Sequence, residues 1–400
     1  MKEIAIEDKK RSPISWVPTL YFAMGLPFVM INMAATVMFR NLEISDAQIA
    51  FWTSLIMLPW TLKPLWSPFL EMYKTKKFFV ILTQTLTGLM FGLTALALNL
   101  PHFFAICIAI LAVIALSGAT HDIAADGVYM SALSKDEQAK YIGWQGAFYN
   151  IAKLVAQGGL VYVSGVLIKY FAGNIDGVTP FIQASSEHQA AVIAWMGILL
   201  FAGALMVAFG LYHIKFLPSE QKNENKVKPT FKETMDELIE TFIDLFRKRH
   251  IVYYICFIIL YRFAEGFVMK IVPLFLMADR ANQGLGLTNE QIGAYYGTYG
   301  SAAFVLGSLL AGYYVAHRGL QKSLFSLCCV FNLPFVAYTL LAIYQPTEMW
   351  IIGGAIMLEY FGYGFGFVGL TLFMMQQIAP GKHQMAHYAF ASGIMNLGVM

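Results

Sequence analysis

The chain has 400 residues, 58% of them hydrophobic, 15% aromatic and only 13% charged, with a mean hydropathy of +0.60. A soluble domain carries roughly 25% charged residues, so the composition excludes a water-soluble globule and describes a polytopic membrane protein. The net charge of +3 is too small to suggest a nucleic-acid partner.

Residues 1–15 are polar and charged, and the first apolar run is long enough to span, so no cleavable signal peptide is expected. An apolar run of about 20 residues crosses the hydrocarbon core as a helix. Eleven such runs follow, at roughly 16–39, 49–70, 78–98, 102–125, 142–170, 189–213, 251–277, 290–316, 323–344, 349–378 and 386–400. We number them spans one to eleven. The last reaches Met400 without a polar flank, as if the chain were cut short inside its eleventh helix.

The long polar connection falls after six spans. Thr230-Phe231-Lys232-Glu233 has the pattern of a capping box. Phe231, Met235, Leu238, Ile239, Phe242 and Phe246 then recur at helical spacing, opposite a charged face. An amphipathic helix is expected there, lying on the membrane or against the bundle. Cys107, Cys256, Cys328 and Cys329 all lie in apolar runs, without metal-site spacing, and no disulfide framework is expected.

Basic residues set the orientation. With the N-terminus in the cytoplasm, the inner segments hold twenty of them, including Lys74, Lys76, Lys77, Lys135, Lys140, Lys248, Arg318 and Lys382; only Arg40, Lys169 and Arg280 lie outside. The halves also echo each other. Ser45-Asp46-Ala47-Gln48 opens span two and Thr288-Asn289-Glu290-Gln291 opens span eight, while Gln138 and Asn150 are set against Gln384 and Asn396. The expected fold is an all-α integral membrane bundle on the parallel two-half plan of the major facilitator superfamily. Its parts would be a six-helix half at 1–214, a cytoplasmic linker at 215–249, and a second half at 250–400 with five helices present.

Function is sought where charge enters the apolar runs. A carboxylate inside a span costs roughly 2.5–3.5 kcal/mol. Chains carry that cost mainly beside water-filled cavities, paired cations or proton paths. Asp122 and Asp126 are four residues apart on span four and share one helical face, with His121 beside them. For Asp126 the alternative is a helix end wetted by cytosol. Arg262 and Glu265 are three apart on span seven and can pair. Lys63, Lys153, Lys270 and Glu359 complete the buried charges. Lys63 is a cavity charge or a snorkelling anchor. Lys153 is either the counter-ion of Asp122 or a solute ligand. Trp144, Gln145 and Asn150 offer stacking and hydrogen bonds to a sugar. Glu71, just before Lys74, is a gating or anchoring charge at the cytoplasmic mouth. Spans three, six and nine carry no charge within the membrane, and are expected at the periphery against lipid. Gly362, Gly364 and Gly366 lie inside an apolar span with no strand before them, so close packing or a hinge is expected there, not a nucleotide loop.

Several stretches together resemble the AmpG-type muropeptide permeases, a branch of the facilitator superfamily. Leu20-Tyr21-Phe22-Ala23-Met24-Gly25-Leu26-Pro27 resembles the first helix of that family. Leu58-Pro59-Trp60-Thr61-Leu62-Lys63-Pro64-Leu65-Trp66-Ser67-Pro68 resembles the second, lysine included. Ala119-Thr120-His121-Asp122-Ile123-Ala124-Ala125-Asp126 is similar to Ala-Thr-Gln-Asp-Ile-Ala-x-Asp, with His121 in place of glutamine. Tyr261-Arg262-Phe263-Ala264-Glu265 is similar to a Tyr-Lys-x-x-Asp segment, and Glu71-Met72 stands where Asp-Arg is usual. The resemblance implies proton-driven import of N-acetylglucosaminyl-anhydro-N-acetylmuramyl peptides across the bacterial inner membrane. The expected partners are a sugar or sugar-peptide solute, protons and the bilayer, with no cofactor. Asp122, Glu265, Asp126 and His121 are the candidate proton carriers. A same-branch carrier for another oligosaccharide, an acyl-CoA-like molecule or a metal chelate is the alternative, with an integral-membrane enzyme or sensor behind it.

Overall fold

The computed structural model describes residues 11–175, 177–219, 231–287 and 289–397, all helix, turn or loop. Eleven helical spans follow one another: 17–41, 46–73, Lys76–Ala97, Phe103–Ala132, Lys135–Phe171, Glu187–Phe216, Ile251–Met277, 289–318, Leu320–Tyr344, Met349–Ile378 and Gln384–Leu397. Eight are long and apolar enough to cross a membrane by length and composition alone, among the described residues. Of the rest, span two is broken by a tight turn at Lys63–Leu65, and span seven carries Arg262, Glu265 and Lys270. Among the described residues, each of the eleven apolar runs of the sequence is therefore helical.

Local chemistry starts and ends these helices. The Thr75 hydroxyl accepts from the Phe78 N–H, and Ser134 and Glu137 cap span five reciprocally. Ser45 sits at the start of span two, but its hydroxyl donates to the Gln48 side-chain oxygen at 3.0 Å and accepts from no backbone N–H. Its sequence echo at Thr288 and the Thr230 cap both lie outside the described residues. Gly319, at φ +78°, makes the turn between spans eight and nine, a backbone state that costs glycine little.

Spans three, four and six pack together, and span one packs on spans four and five. Spans eight, nine and ten form a second group, with span seven against span eleven. Span five on span eight, and span eleven on spans two and four, join the groups. Spans five and eight touch backbone to backbone. A Cβ on Gly143 would fall 2.3 Å from the Ser308 carbonyl oxygen, and one on Gly312 would fall 3.0 Å from the Gly143 nitrogen. Span ten uses its glycines the same way. A Cβ on Gly362 would fall 2.4 Å from the Val330 carbonyl of span nine, and one on Gly364 2.2 Å from that of Phe304 in span eight. Leu82, Leu89, Leu93 and Leu96 of span three are exposed, as are Phe325, Leu333, Val336 and Leu340 of span nine, which presents uncharged side chains to lipid.

The expected amphipathic helix forms at Phe231–Arg247 and docks on the bundle. It meets the end of span two and the starts of spans seven and eleven. Phe242 and Phe246 stand edge-on to Phe390, at 6.0 and 5.7 Å between ring centres. The Thr241 carbonyl lies 3.1 Å from a ring nitrogen of His387. The buried face runs through Thr241 and Leu245, while Ile239 and Phe246 of the expected stripe are exposed. The docked face is therefore rotated from the purely apolar one, because the bundle supplies partners for Thr241 and Asp244. Next to the helix, the Lys248 ammonium donates to the carbonyls of Ile378 and Pro380. Burial pushes that ammonium down to about 8, with Asp244 opposing.

Candidate functional site

A cavity of about 460 Å³ lies between the two groups of spans. Its wall is built by stripes at helical spacing: Tyr21, Met24 and Phe28 on span one; Gln145, Tyr149, Asn150 and Lys153 on span five; Tyr363, Phe367 and Thr371 on span ten. Spans two, four, seven, eight and eleven add Trp60, Lys63, Asp122, Asp126, Arg262, Ser308 and Tyr388. Spans three, six and nine contribute nothing to it, as their lack of charge suggests. Tyr21, Ile142, Met374 and Tyr388 are buried at one end, and Asn32 is exposed at the other. The buried end is the one that carries the basic loops. There the Gln376 amide donates to the Lys135 carbonyl at 3.2 Å, and Met385 packs against Gly127.

Two charge clusters face this space. In the first, the Tyr21 hydroxyl donates to Oδ1 of Asp126 at 2.9 Å, and the Gln145 amide approaches the same oxygen at 3.4 Å. Asp122 is one turn earlier, and its Oδ1 has no hydrogen-bond partner. Lys63, held where span two tightens at Lys63–Leu65, is the cation whose charge reaches both carboxylates. Asp122, Asp126 and Lys63 are 8%, 6% and 7% exposed, so none sits in bulk water. The wetted-end reading of Asp126 is thus set aside by its burial under Tyr21.

In the second cluster, Arg262 Nε and Nη2 each donate to a carboxylate oxygen of Glu265 at 2.6 Å. This two-bond fork is the strongest geometry such a pair can take. Lys153 stands near them, its ammonium 4.8 Å from the centre of the Tyr149 ring. Its charged neighbours are Arg262 and Glu265. Asp122 thus shares its cluster with Lys63, while Lys153 stands with Arg262 and Glu265. Tyr363 faces both members of the Arg262–Glu265 pair.

The chain matches the family described as Major Facilitator Superfamily over residues 19–400. The chain belongs to the major facilitator superfamily. It is a transporter and not an enzyme. An uncharacterized protein of Haemophilus influenzae is 22% identical to this facilitator over 378 residues, covering 90% of this chain and 79% of the relative. Among solved structures, the fucose:proton symporter of E. coli has a TM-score of 0.67 at 14% identity, covering 97% of this chain and 89% of that one. A bacterial homologue of the iron transporter ferroportin, in an outward-facing state, has a TM-score of 0.60 at 14% identity, covering 96% and 87%. At these identities the likeness is one of fold.

The structure of this facilitator brings Asp122, Asp126, Lys63, Lys153, Arg262, Gln145 and Asn150 to the cavity wall. Glu265 stands just behind it on Arg262. Glu359 is buried off the wall, where the Tyr338 hydroxyl donates to it at 3.2 Å. Trp144 stacks on Phe148 and does not line the cavity. The side chains of Glu71 and Lys270 lie outside the described ones.

His121 turns away from the cavity into span packing. The Gln84 amide donates to its Nε2 at 2.9 Å, and the Gln84 oxygen accepts from His213 at 2.8 Å. His213 in turn meets the Thr19 hydroxyl at 3.0 Å. This chain ties spans one, three, four and six together. Sequence reasoning missed it, and missed Tyr21, Trp60 and Tyr149 on the cavity wall. A tyrosine or glutamine deep in an apolar run was the available signal, since each must find a partner there.

Proposed function

We propose that this facilitator is a secondary active transporter that couples protons to the import of cell-wall-derived amino-sugar fragments, anhydro-muropeptides or close relatives, across the bacterial inner membrane. The observation that carries this is the cluster of Asp122 and Asp126 against one cation, Lys63, on the cavity wall. Two carboxylates facing one ammonium leave one negative charge uncompensated, and a proton neutralises it. Asp122 has an oxygen free to take that proton, whereas Glu265 is held by both its oxygens on Arg262. Rocking of one half against the other would then move the loaded cavity from one side to the other. Placing the basic loops in the cytoplasm, with the N-terminus, puts the buried end of the cavity inside and its mouth outside. Gln145 and Asn150 supply hydrogen bonds, and Trp60 and Tyr149 supply ring faces, for a sugar. A likeness of fold to a fucose:proton symporter supports a sugar–proton pairing.

Proteoliposomes with an inward proton gradient test this with labelled N-acetylglucosaminyl-anhydro-N-acetylmuramic acid. Wild-type protein is expected to accumulate it above equilibrium. Asp122→Asn keeps size and hydrogen bonding but cannot titrate, so accumulation should vanish while counterflow exchange persists. No wild-type uptake would remove the amino-sugar substrate, and a panel with fucose and an iron chelate would then place the solute. Undiminished accumulation by Asp122→Asn with an unchanged pH profile would move coupling away from this residue.

A further inference from the structure

Building on the proposed import function, we infer that Lys153 is the anchor for a single carboxylate of the transported solute. Among the described residues, three cations line the cavity: Lys63, Lys153 and Arg262. Lys63 shares its part of the wall with the carboxylates of Asp122 and Asp126, and the fork of Arg262 is filled by both oxygens of Glu265. Lys153 makes no ion pair of 4 Å or less among the described residues. It rests on the Tyr149 ring at 4.8 Å, half-buried at the cavity wall. A cation over a ring face is held in direction yet keeps donors for another partner.

The surroundings set the charge of that partner. Lys153, Arg262 and Glu265 together leave one positive charge, and Glu359 is off the wall, held by the Tyr338 hydroxyl. A carboxylate carries one negative charge and balances this cluster. A phosphate carries about two at neutral pH and would overcompensate this cluster by one. Asn150, one turn before Lys153 on the same stripe, can donate to a second oxygen in place of its present bond to the Gly146 carbonyl at 2.8 Å. The site therefore selects a sugar acid over the neutral sugar of the same shape. It also links the clusters, because a proton on the aspartates and an anion on Lys153 each offset the charge of the other.

Two measurements on the full chain test this. The first titrates purified protein with 1,6-anhydro-N-acetylmuramic acid and with its lactyl amide, followed by calorimetry. The acid should bind about tenfold tighter or more, since a charge-assisted bond is lost in the amide. Lys153→Gln should erase that preference and Lys153→Arg should keep most of it. Equal binding of acid and amide by wild type, or a preference surviving in Lys153→Gln, overturns the assignment. The second measurement needs no sugar. A cysteine at Asn150, with the four native cysteines replaced by alanine, is modified with anionic and cationic methanethiosulfonates. Relative to a free thiol, the anionic reagent should be favoured several-fold, and adding Lys153→Gln should abolish this. A rate ratio unmoved by Lys153→Gln also overturns the assignment. If neither sugar binds while the rate ratio behaves as expected, the amino-sugar substrate fails and the anion site stands.

Discussion

The Arg262–Glu265 fork shows how a single pair can govern both stability and the electrostatics of a transport cavity. Both groups are buried, at 6% and 2% exposure. Removing one partner of a buried pair leaves an uncompensated charge, at a cost of about 3–5 kcal/mol. Arg262→Ala should therefore lower the thermal unfolding midpoint in detergent more than the double replacement with Glu265→Ala does. A double variant no more stable than either single one would show that the two groups do not act as a pair. This pair was legible in the sequence, because charges three apart in an apolar run have few other partners. The relation between Asp122 and its cation was not. Lys63 and Lys153 both lie within spans, and only the rotation of spans two and five about their axes decides which one faces Asp122. That rotation is set by packing across the bundle, not by spacing along one helix. His121 was misleading for a related reason: adjacent residues on a helix point about 100° apart, so a neighbour of Asp122 in sequence need not share its surroundings.

Among the elements, spans five and eight meet at a contact that tolerates no added side-chain volume. A valine at Gly143 would put its Cβ 2.3 Å from the Ser308 oxygen and 2.7 Å from the Leu309 Cα, and backbone cannot step aside as a side chain can. Gly143→Val should cost about 1–3 kcal/mol, as overpacked cores do, and should abolish uptake. Gly165→Ala, further along the same span, meets nothing within 4 Å. There the helix should gain about 0.5–1 kcal/mol. Parallel thermal scans check both, and equal midpoints for the two variants would show that the contact is not tight in solution. The spans themselves were readable from run length. The wide π turns at Met30–Ala34, Leu154–Leu160, Gly293–Tyr299 and Met374–Ile378 were not, since one extra residue per turn leaves no mark on composition. The linker helix was readable as amphipathic, but its docked face depends on Phe390, His383 and His387, which lie more than a hundred positions away.

For the whole molecule, sidedness is the property that composition addresses most directly. A tag near Lys226 should be reached only from the cytoplasm and one near Gln183 only from outside, as protease or biotin accessibility in intact cells would report. Both tags on one side would overturn the count of spans between them. The charge-free spans three, six and nine were legible as the outer ones because lipid tolerates no ion, and none of their side chains lines the cavity.

The backbone contact at Gly143 also fixes a mechanical ratio. From Gly143 to Phe171, span five runs 28 residues, or about 40 Å at 1.5 Å per residue. A turn of about 10° around the glycine contact shifts the contact itself hardly at all, yet carries the far end by about 7 Å, more than twice the width of a water molecule. Span five is thus a lever with its pivot near one end, and a movement too small to disturb the packing at Gly312 is large enough to open or shut a path for solute at the other.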